Sequence, residues 1–314
     1  MSPISFSIII PHHNIPDLLE RCIASIPRRD DVEVIVVDDR SSPSVVDFDN
    51  FPRGGGGRND VKVIFNKEEG RGAGGARNIG IEAARGKWLV FIDADDYFNP
   101  SVGKMMDAHR DDKADIVFFR ANGLDSELYE ASPAALLRVR SLNGYFREYL
   151  HGDRQKGETL LRYAWGEPWA KFYRRKFVQD NKLLFKETPM HNDTTFTYTA
   201  GFHAKRVTAD PHCLVCVTWR PGSLSHTVNY AKLLACVEVF CEKERFMADC
   251  HIEYRDDIDR SHYAAAARLL LSGDRGRWAE AKAIFRKYGL LTPRFYRKVF
   301  VEAFKRLAHR VVGS

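Results

Sequence analysis

Trp88-Leu89-Val90-Phe91-Ile92-Asp93-Ala94-Asp95-Asp96-Tyr97-Phe98-Asn99-Pro100 decides how this chain is read. An apolar run of strand length, Trp88 to Ile92, gives way abruptly to three carboxylates, Asp93, Asp95 and Asp96. With the backbone extended past Ile92, side-chain alternation puts Asp93 and Asp95 on the same side. Two carboxylates so close at a sheet edge repel unless a cation lies between them. Aspartate oxygens select hard divalent ions such as Mg²⁺ or Mn²⁺, which keep open positions for phosphate oxygens. Asn99 before Pro100 reads as an N-cap and first-turn pair for the next helix. That accounts for those two residues and leaves the three acids unexplained.

Working outward, the first half of the chain alternates between strand and helix patterns. Phe6–Ile10, Val32–Val37, Val61–Asn66, Trp88–Ile92 and Ile116–Arg120 read as strands. Pro16–Ile26 and Gly75–Arg85 read as helices, the second stopped by Gly86. Phe51–Asp60, with the run Gly54–Gly57, reads as a loop. This alternation predicts an α/β fold, a largely parallel sheet flanked by helices. After Asp125 the pattern turns to helices and short strands, among them Ala200–Trp219. From Tyr230 it is helical: Tyr230–Asp249, Asp256–Leu271, Trp278–Tyr288 and Pro293–Val312. The expected division is a catalytic domain over 1–226, with a nucleotide half to about 125 and an acceptor half after it, then a helical region over 227–314.

The 314 residues, 44% hydrophobic, are enough for one large α/β domain with an appendage. No apolar run approaches the ~20 residues of a membrane span, and the N-terminus lacks the layout of a signal peptide. A cytoplasmic location is therefore expected, and six scattered cysteines favour a reducing compartment. Cys213 and Cys216 form a lone CxxC after His212; without a second pair it reads as strand rather than zinc site. The net charge of +6 is uneven: six basic residues against Glu302 make the segment from Pro293 onward +5. The rest is nearly neutral, which argues against a nucleic-acid binder.

Ligands of open α/β sheets sit beyond the carboxyl ends of the strands. Those ends here carry Pro11-His12-His13-Asn14, Asp38-Asp39, the segment Gly70–Asn78, and Asp93-Ala94-Asp95. In that order PHHN, VVDDRSS (Val36–Ser42), ARNIG (Ala76–Gly80) and DADD resemble the inverting family 2 glycosyltransferases of GT-A fold. The likeness covers roughly the first hundred residues and rests on four motifs that are individually weak and jointly specific. It implies transfer of a sugar from a nucleoside-diphosphate donor, UDP in many members, with Mn²⁺ or Mg²⁺ as cofactor.

The resemblance also implies roles for residues. His13, flanked by Pro11 and Asn14, would stack near the base and Asp39 would bond to it. Arg77 and Asn78, opening a helix whose N-terminus favours negative charge, would face nucleotide and sugar, with Arg71 beside them. Asp93 would contact ribose or donor sugar, and Asp95, across Ala94, would hold the metal. Trp169-Ala170-Lys171-Phe172-Tyr173-Arg174 and His191-Asn192-Asp193-Thr194-Thr195-Phe196 resemble the family's later W-x-K-x-Y-R and E-D-x-x-F segments more loosely. Asn192 stands where Glu is usual, so the general base falls to Asp193; an N-cap is its plain alternative. Trp169, Lys171 and Asn192 are expected near acceptor or diphosphate. Arg220 and His226, in a segment similar to the family's R-x-x-S-x-S loop, are expected at diphosphate and metal.

Two other readings compete. Gly70-x-Gly72-x-x-Gly75 fits a dinucleotide fingerprint of a nicotinamide dehydrogenase, but Lys67–Glu69 intervene before the first glycine and one ribose acid does not explain three. A non-catalytic module holding nucleotide or glycan rests on Asn192, and Asp193 speaks against it. The expected acceptor is a glycan or a lipid-linked molecule. On the last helix Tyr296, Phe300, Phe304, Leu307 and Val311 share one face, with Arg294, Lys298, Lys305 and His309 broadly opposite. Either that apolar face packs on the domain, or the helix makes peripheral contact with an anionic inner membrane surface.

Overall fold

The computed structural model describes residues 3–51, 58, 60–68, 72–125, 130, 133–219, 229–253 and 261–312. The chain forms two compact units, 1–187 with 196–223, and 188–195 with 224–314. The first contains, in order, β1 (Phe6–His12), α1 (Pro16–Ala24), β2 (Val32–Asp39), β3 (Val61–Asn66), α2 (Gly72–Ala83), β4 (Trp88–Phe91), β5 (Tyr97–Phe98), α3 (Val102–His109) and β6 (Ile116–Asp125). Then come α4 (Pro133–His151), α5 (Arg154–Tyr163), β7 (Lys171–Arg174), α6 (Arg175–Asp180), α7 (Thr194–His203), whose first two residues fall in the second unit, and β8 (Val207–Trp219).

One eight-stranded sheet, ordered β3-β2-β1-β4-β7-β6-β8-β5, spans this unit. Its first four strands are parallel, as the βα alternation requires, and the centres of β1 and β2 are buried and apolar, from Ile8 to Ile10 and Val34 to Val37. The rest is mixed: β7 runs antiparallel to β4 and β6, while β6 and β8 are parallel. The expected short strands before Trp219 are one strand of thirteen residues, β8, whose pairing with β6 shifts register around Arg120. Cys213 and Cys216 lie on it, free.

Helix α2 lies close on β1 because Gly80 has no side chain: a Cβ there would stand 2.3 Å from Ile9 Cγ2. Gly86 is held equally close, its N–H donating to Ser7 Oγ at 2.8 Å. Ser7 in turn donates to Glu33 Oε1 at 2.6 Å, and Arg85 donates to the same carboxylate from its backbone and its guanidinium. Burial pushes the Glu33 carboxyl up, but these bonds together hold it below the usual range. The α2–β4 connection is thus fastened to β1 and β2, fixing where β4 begins.

The second unit is helical: α8 (Tyr230–Asp249), α9 (Ser261–Leu271), α10 (Arg275–Lys287) and α11 (Pro293–Val312). Asn229 caps α8 by accepting from Lys232 N at 2.9 Å, and Asp274 caps α10. Val237, Cys241, Ala266, Phe285 and Phe295 form its own core. Helix α11 packs through Phe295, Val299 and Ala303, so of the two readings of its other apolar face, packing on the domain is not the one seen. Tyr296, Phe300, Phe304 and Leu307 are exposed, Phe300 by 56% and Phe304 by 73%. The helix carries two apolar stripes, and the one with Phe295, Val299 and Ala303 is turned into the core shared with α9.

Candidate active site

The carboxyl ends of β1, β2 and β4 come together, and each is locked by its neighbours. His12 pairs in register with Asp38, and its Nδ1 lies 2.8 Å from Asp38 Oδ1, both side chains buried. Ser41 Oγ donates to the same carboxylate at 2.5 Å and its backbone N–H donates at 3.1 Å. Burial pushes the Asp38 carboxyl up, yet the bonds from His12 and Ser41 hold it below the usual range. Asn14, in the left-handed region at φ 56°, receives Ser42 N–H on its side chain at 2.7 Å while its own N–H donates to Ser41 Oγ. The loops after β1 and β2 are therefore one hydrogen-bonded unit, anchored by a His12–Asp38–Ser41 cluster.

Outside that anchor stand His13 and Asp39. His13 is exposed, with Nδ1 2.8 Å from the Asp39 carbonyl and Nε2 2.9 Å from Asn14 Nδ2. Asp39 Oδ1 accepts from Asn66 Nδ2 at 2.7 Å, its register partner on β3. Pro11 is buried within β1 and so contributes backbone only.

After β4 the backbone does not stay extended. Asp96 N–H donates to Asp93 O at 3.0 Å, closing a β-turn through Ala94 and Asp95. Strand alternation is thus the wrong cause, although the carboxylates do meet: ligand oxygens of Asp93, Asp95 and Asp96 all lie within 4.8 Å of one another. The three acids differ in role. Asp96 is buried and accepts Thr218 N–H at 2.7 Å, which ties the turn to β8. Asp93 Oδ1 is 2.5 Å from the Arg77 guanidinium, which is buried on α2. Asp95 is half-buried and held by its backbone carbonyl, which accepts from Arg21 and from Thr218 Oγ1. The negative charge is concentrated enough to reach α1: burial first, then Asp96, Asp95 and Asp93, push the Cys22 thiol well up. A set of hard oxygens this tightly grouped fits Mg²⁺ or Mn²⁺. Asn99 follows the short strand β5 and accepts Ser101 N–H on its side chain and Val102 N–H on its carbonyl, each at 2.9 Å, just ahead of α3, which begins at Val102.

Several expected contacts are placed elsewhere. Both ends of the Asn78 amide are engaged by the Phe185 backbone, donating at 3.0 Å and accepting at 2.8 Å, so this side chain anchors a loop instead of facing nucleotide. Lys171, expected near acceptor or diphosphate, is 2% exposed and donates to the carbonyls of Trp165 and Glu167, its ammonium 4.9 Å from the Trp165 ring. Trp169 is buried against Trp165. Both are core residues because β7 lies mid-sheet. Asn192 and Asp193 are half-buried and belong to the second unit, immediately before α7. Arg71, Arg220 and His226 lie outside the described residues. His12, Ser41, Asn66 and Thr218 were not singled out in the sequence; only the doubled histidine and the serine after Asp38-Asp39 hinted at the first two.

A mixed sheet whose parallel half ends in clustered aspartates fits the GT-A arrangement. The chain belongs to glycosyl transferase family 2, whose family model matches residues 7–181. It is similar to the glycosyltransferase EpsJ of Bacillus subtilis, 28% identical over 230 residues covering 70% of this chain and 62% of EpsJ. The chain spans less than two thirds of the length of the curated relatives it matches first. Among solved structures, S. aureus TarS 1-349 in complex with UDP-GlcNAc aligns with a TM-score of 0.59 at 20% identity, covering 96% of this chain and 89% of that one. The mannosyltransferase PcManGT of Pyrobaculum calidifontis, in complex with GDP-Man and Mn²⁺, aligns at 0.51 with 15% identity, covering 97% and 87%. At these identities the likeness is one of fold. The nicotinamide reading is set aside by the family.

Proposed function

We propose that the protein transfers a sugar, with inversion, from a nucleoside-diphosphate donor to a glycan or lipid-linked acceptor. The observation that carries this is the carboxylate cluster at the end of β4, within the same parallel half-sheet as the His13–Asp39 ledge. His13 and Asp39 offer a planar ring and a carboxylate to the base, and uracil is the favoured base because the TarS neighbour was solved with UDP-GlcNAc. Asp95, with Asp93, would hold Mn²⁺ or Mg²⁺, and that ion when bound supplies positive charge to the leaving diphosphate. Arg77 orients the Asp93 carboxylate through an ion pair at 2.5 Å. Asp193 takes the proton of the acceptor hydroxyl as its oxygen attacks the anomeric carbon; the bond to the diphosphate breaks and its electron pair leaves with phosphate. Arg71, Arg220 and His226 keep their expected roles at the donor, diphosphate and metal.

A donor-hydrolysis screen over UDP-, GDP- and TDP-sugars with Mn²⁺ or Mg²⁺ tests the reading. Hydrolysis of one donor class, stopped by EDTA and restored by added ion, is expected; full turnover after EDTA treatment would sink the metal-dependent mechanism. Peripheral membrane attachment through α11 belongs to the same proposal. Its exposed Phe300, Phe304 and Leu307 sit on a helix that also carries exposed Arg294, Arg297 and Lys305, a pairing suited to anionic lipid. Each basic residue near such a surface adds about 1 kcal/mol. Sedimentation with anionic but not neutral vesicles, weakened by salt and lost in Phe300→Ser/Phe304→Ser, is expected. Equal recovery of both proteins in the supernatant would leave α11 a structural helix only.

A further inference from the structure

Basic side chains line a cavity of about 360 Å³ in the helical unit, with Lys232, Arg268 and Arg306 beside His191. A second basic hollow, of about 410 Å³, lies at the amino ends of β1 and β4 in the first unit. Its size is within the range of small-molecule sites. Arg85, Lys87, Arg174, Arg175 and Lys176 line it together with Ile4. Strand pairing gathers these cations. Arg85 and Lys87 precede β4, Arg174 ends β7 and Arg175 opens α6. Trp88 and Arg174 are register partners, and Arg175 N–H donates to the Lys87 carbonyl at 2.9 Å. The antiparallel pairing of β4 with β7 thus sets one basic run beside the other.

Three of the five cations meet carboxylates. Arg85 pairs with Glu33 at 2.9 Å, Lys87 with Asp111 at 3.2 Å and Lys176 with Asp180 at 2.9 Å. The last two pairs are solvated, Asp111 being 89% exposed, and such pairs rearrange at little cost. The other two cations are held by neutral groups. Arg174 donates to the carbonyls of Ala114 and Asp112 and lies 4.9 Å over the Trp88 ring. Arg175 donates to the Gly86 carbonyl at 2.7 Å and to Gln179 Oε1 at 3.1 Å. Carbonyls and amides satisfy donors without cancelling charge. Among the described residues, five cations against three carboxylates leave two positive charges uncompensated around one hollow, and a dianion would neutralise them.

We propose that this hollow binds a phosphate group, free or on a lipid headgroup, as a second anion site apart from the donor site. A phosphate monoester carries about −1.5 to −2 charge near neutral pH, which matches the surplus, whereas a carboxylate carries only one. Arg175 supplies a planar fork, and Lys87 and Lys176 supply point charges. Ile4 is the single apolar lining residue, so recognition rests on the phosphate and not on an organic body. Arg85 follows α2, which carries Arg77, and Lys87 precedes β4, which leads to Asp93. Bound phosphate ties the α2–β4 connection to the β7–α6 junction, at the end of β4 away from the acidic turn.

Calorimetric titration of the full chain with inorganic phosphate tests it, the protein being first saturated with UDP and Mg²⁺ so that the donor site is filled. Wild type should bind phosphate, and acetate at least roughly tenfold more weakly. Arg85→Gln/Lys176→Gln changes two exposed side chains and should fold normally. It should weaken phosphate binding by roughly tenfold or more while UDP binding is unchanged. Arg175→Lys, which keeps the charge and loses the fork, should fall between the two. Sedimentation with phosphatidic acid vesicles separates the sources, using the Phe300→Ser/Phe304→Ser protein so that α11 contributes nothing. Binding of free phosphate identifies a soluble ligand, and binding to the vesicles alone a lipid headgroup. Failure to bind either probe, acetate binding as tight as phosphate, or equal binding by Arg85→Gln/Lys176→Gln overturns the proposal.

Discussion

The acidic turn after β4 and the basic cavity of the helical unit are opposite in charge and opposite in origin. Asp93, Asp95 and Asp96 fall within four consecutive positions, and one backbone hydrogen bond brings them together. His191, Lys232, Arg268 and Arg306 span more than a hundred positions and meet only because three helices share a core. Charge concentrated by local sequence is visible before folding; charge concentrated by packing is not. The contrast extends to what holds each side chain. The acidic turn is clamped by Thr218 and Arg21, so it keeps its shape without ligand. The basic cavity is instead assembled from the segment 188–195 and three helices, so its shape depends on the packing of the whole helical unit.

The largest effect should fall on the turn before α7. Asp193→Asn should lower transfer by ~10² to 10⁴ with donor affinity near wild type, as removal of a positioned base does. Calorimetry with UDP-sugar, compared with Asp39→Ala, checks it; equal loss of donor binding in the two variants would show that Asp193 belongs to the donor site. Next, Asp95→Asn should cost roughly 10²-fold in turnover, measured with saturating Mn²⁺ and a folded control spectrum. If Asp96→Asn matched it without destabilising the protein, the division of roles among the three acids would be wrong.

Stability tests reach the anchors beneath the site. Asp38→Asn leaves His12 and Ser41 facing a weaker acceptor in a buried place, so a loss of about 2 to 3 kcal/mol in urea unfolding is expected. A smaller change, about 1.5 kcal/mol, is expected for Glu33→Gln. Both carboxyls are held below the usual range in the folded protein. Their contribution is therefore present above the unfolded pKa, near 4, and lost as pH falls through the folded value. The urea midpoint should hold from about pH 7 to pH 5 and fall below about pH 4. A shallower acid limb in Glu33→Gln confirms the assignment, and an unchanged limb refutes it.

Much of the catalytic half was legible because its signals are local. The strands Val61–Asn66 and the helices Tyr230–Asp249 and Pro293–Val312 end where their apolar periods and caps end. ARNIG was legible as a motif, but its three roles were not: Arg77 meets Asp93, Asn78 meets Phe185 more than a hundred residues away, and Gly80 makes room for Ile9. Lys171 misled because a lysine in a motif suggests a ligand, whereas an ammonium can be buried when carbonyls and rings receive it. The α11 face stayed undecided for a related reason: a helical wheel shows that a stripe is apolar, and only the neighbours determine whether it is covered.

The sequence by itself determined the α/β order, the parallel strand ends and the clustering of three acids, because all depend on residues within a turn or a strand of one another. Only the tertiary structure decided that β7 enters the sheet antiparallel, that Thr218 fastens the acidic turn, that Asp193 groups with the helical unit, and that three distant cations line one cavity. Each of these depends on contacts between residues far apart in the chain. The free energy of such contacts comes from shared burial, which no short stretch of sequence encodes alone.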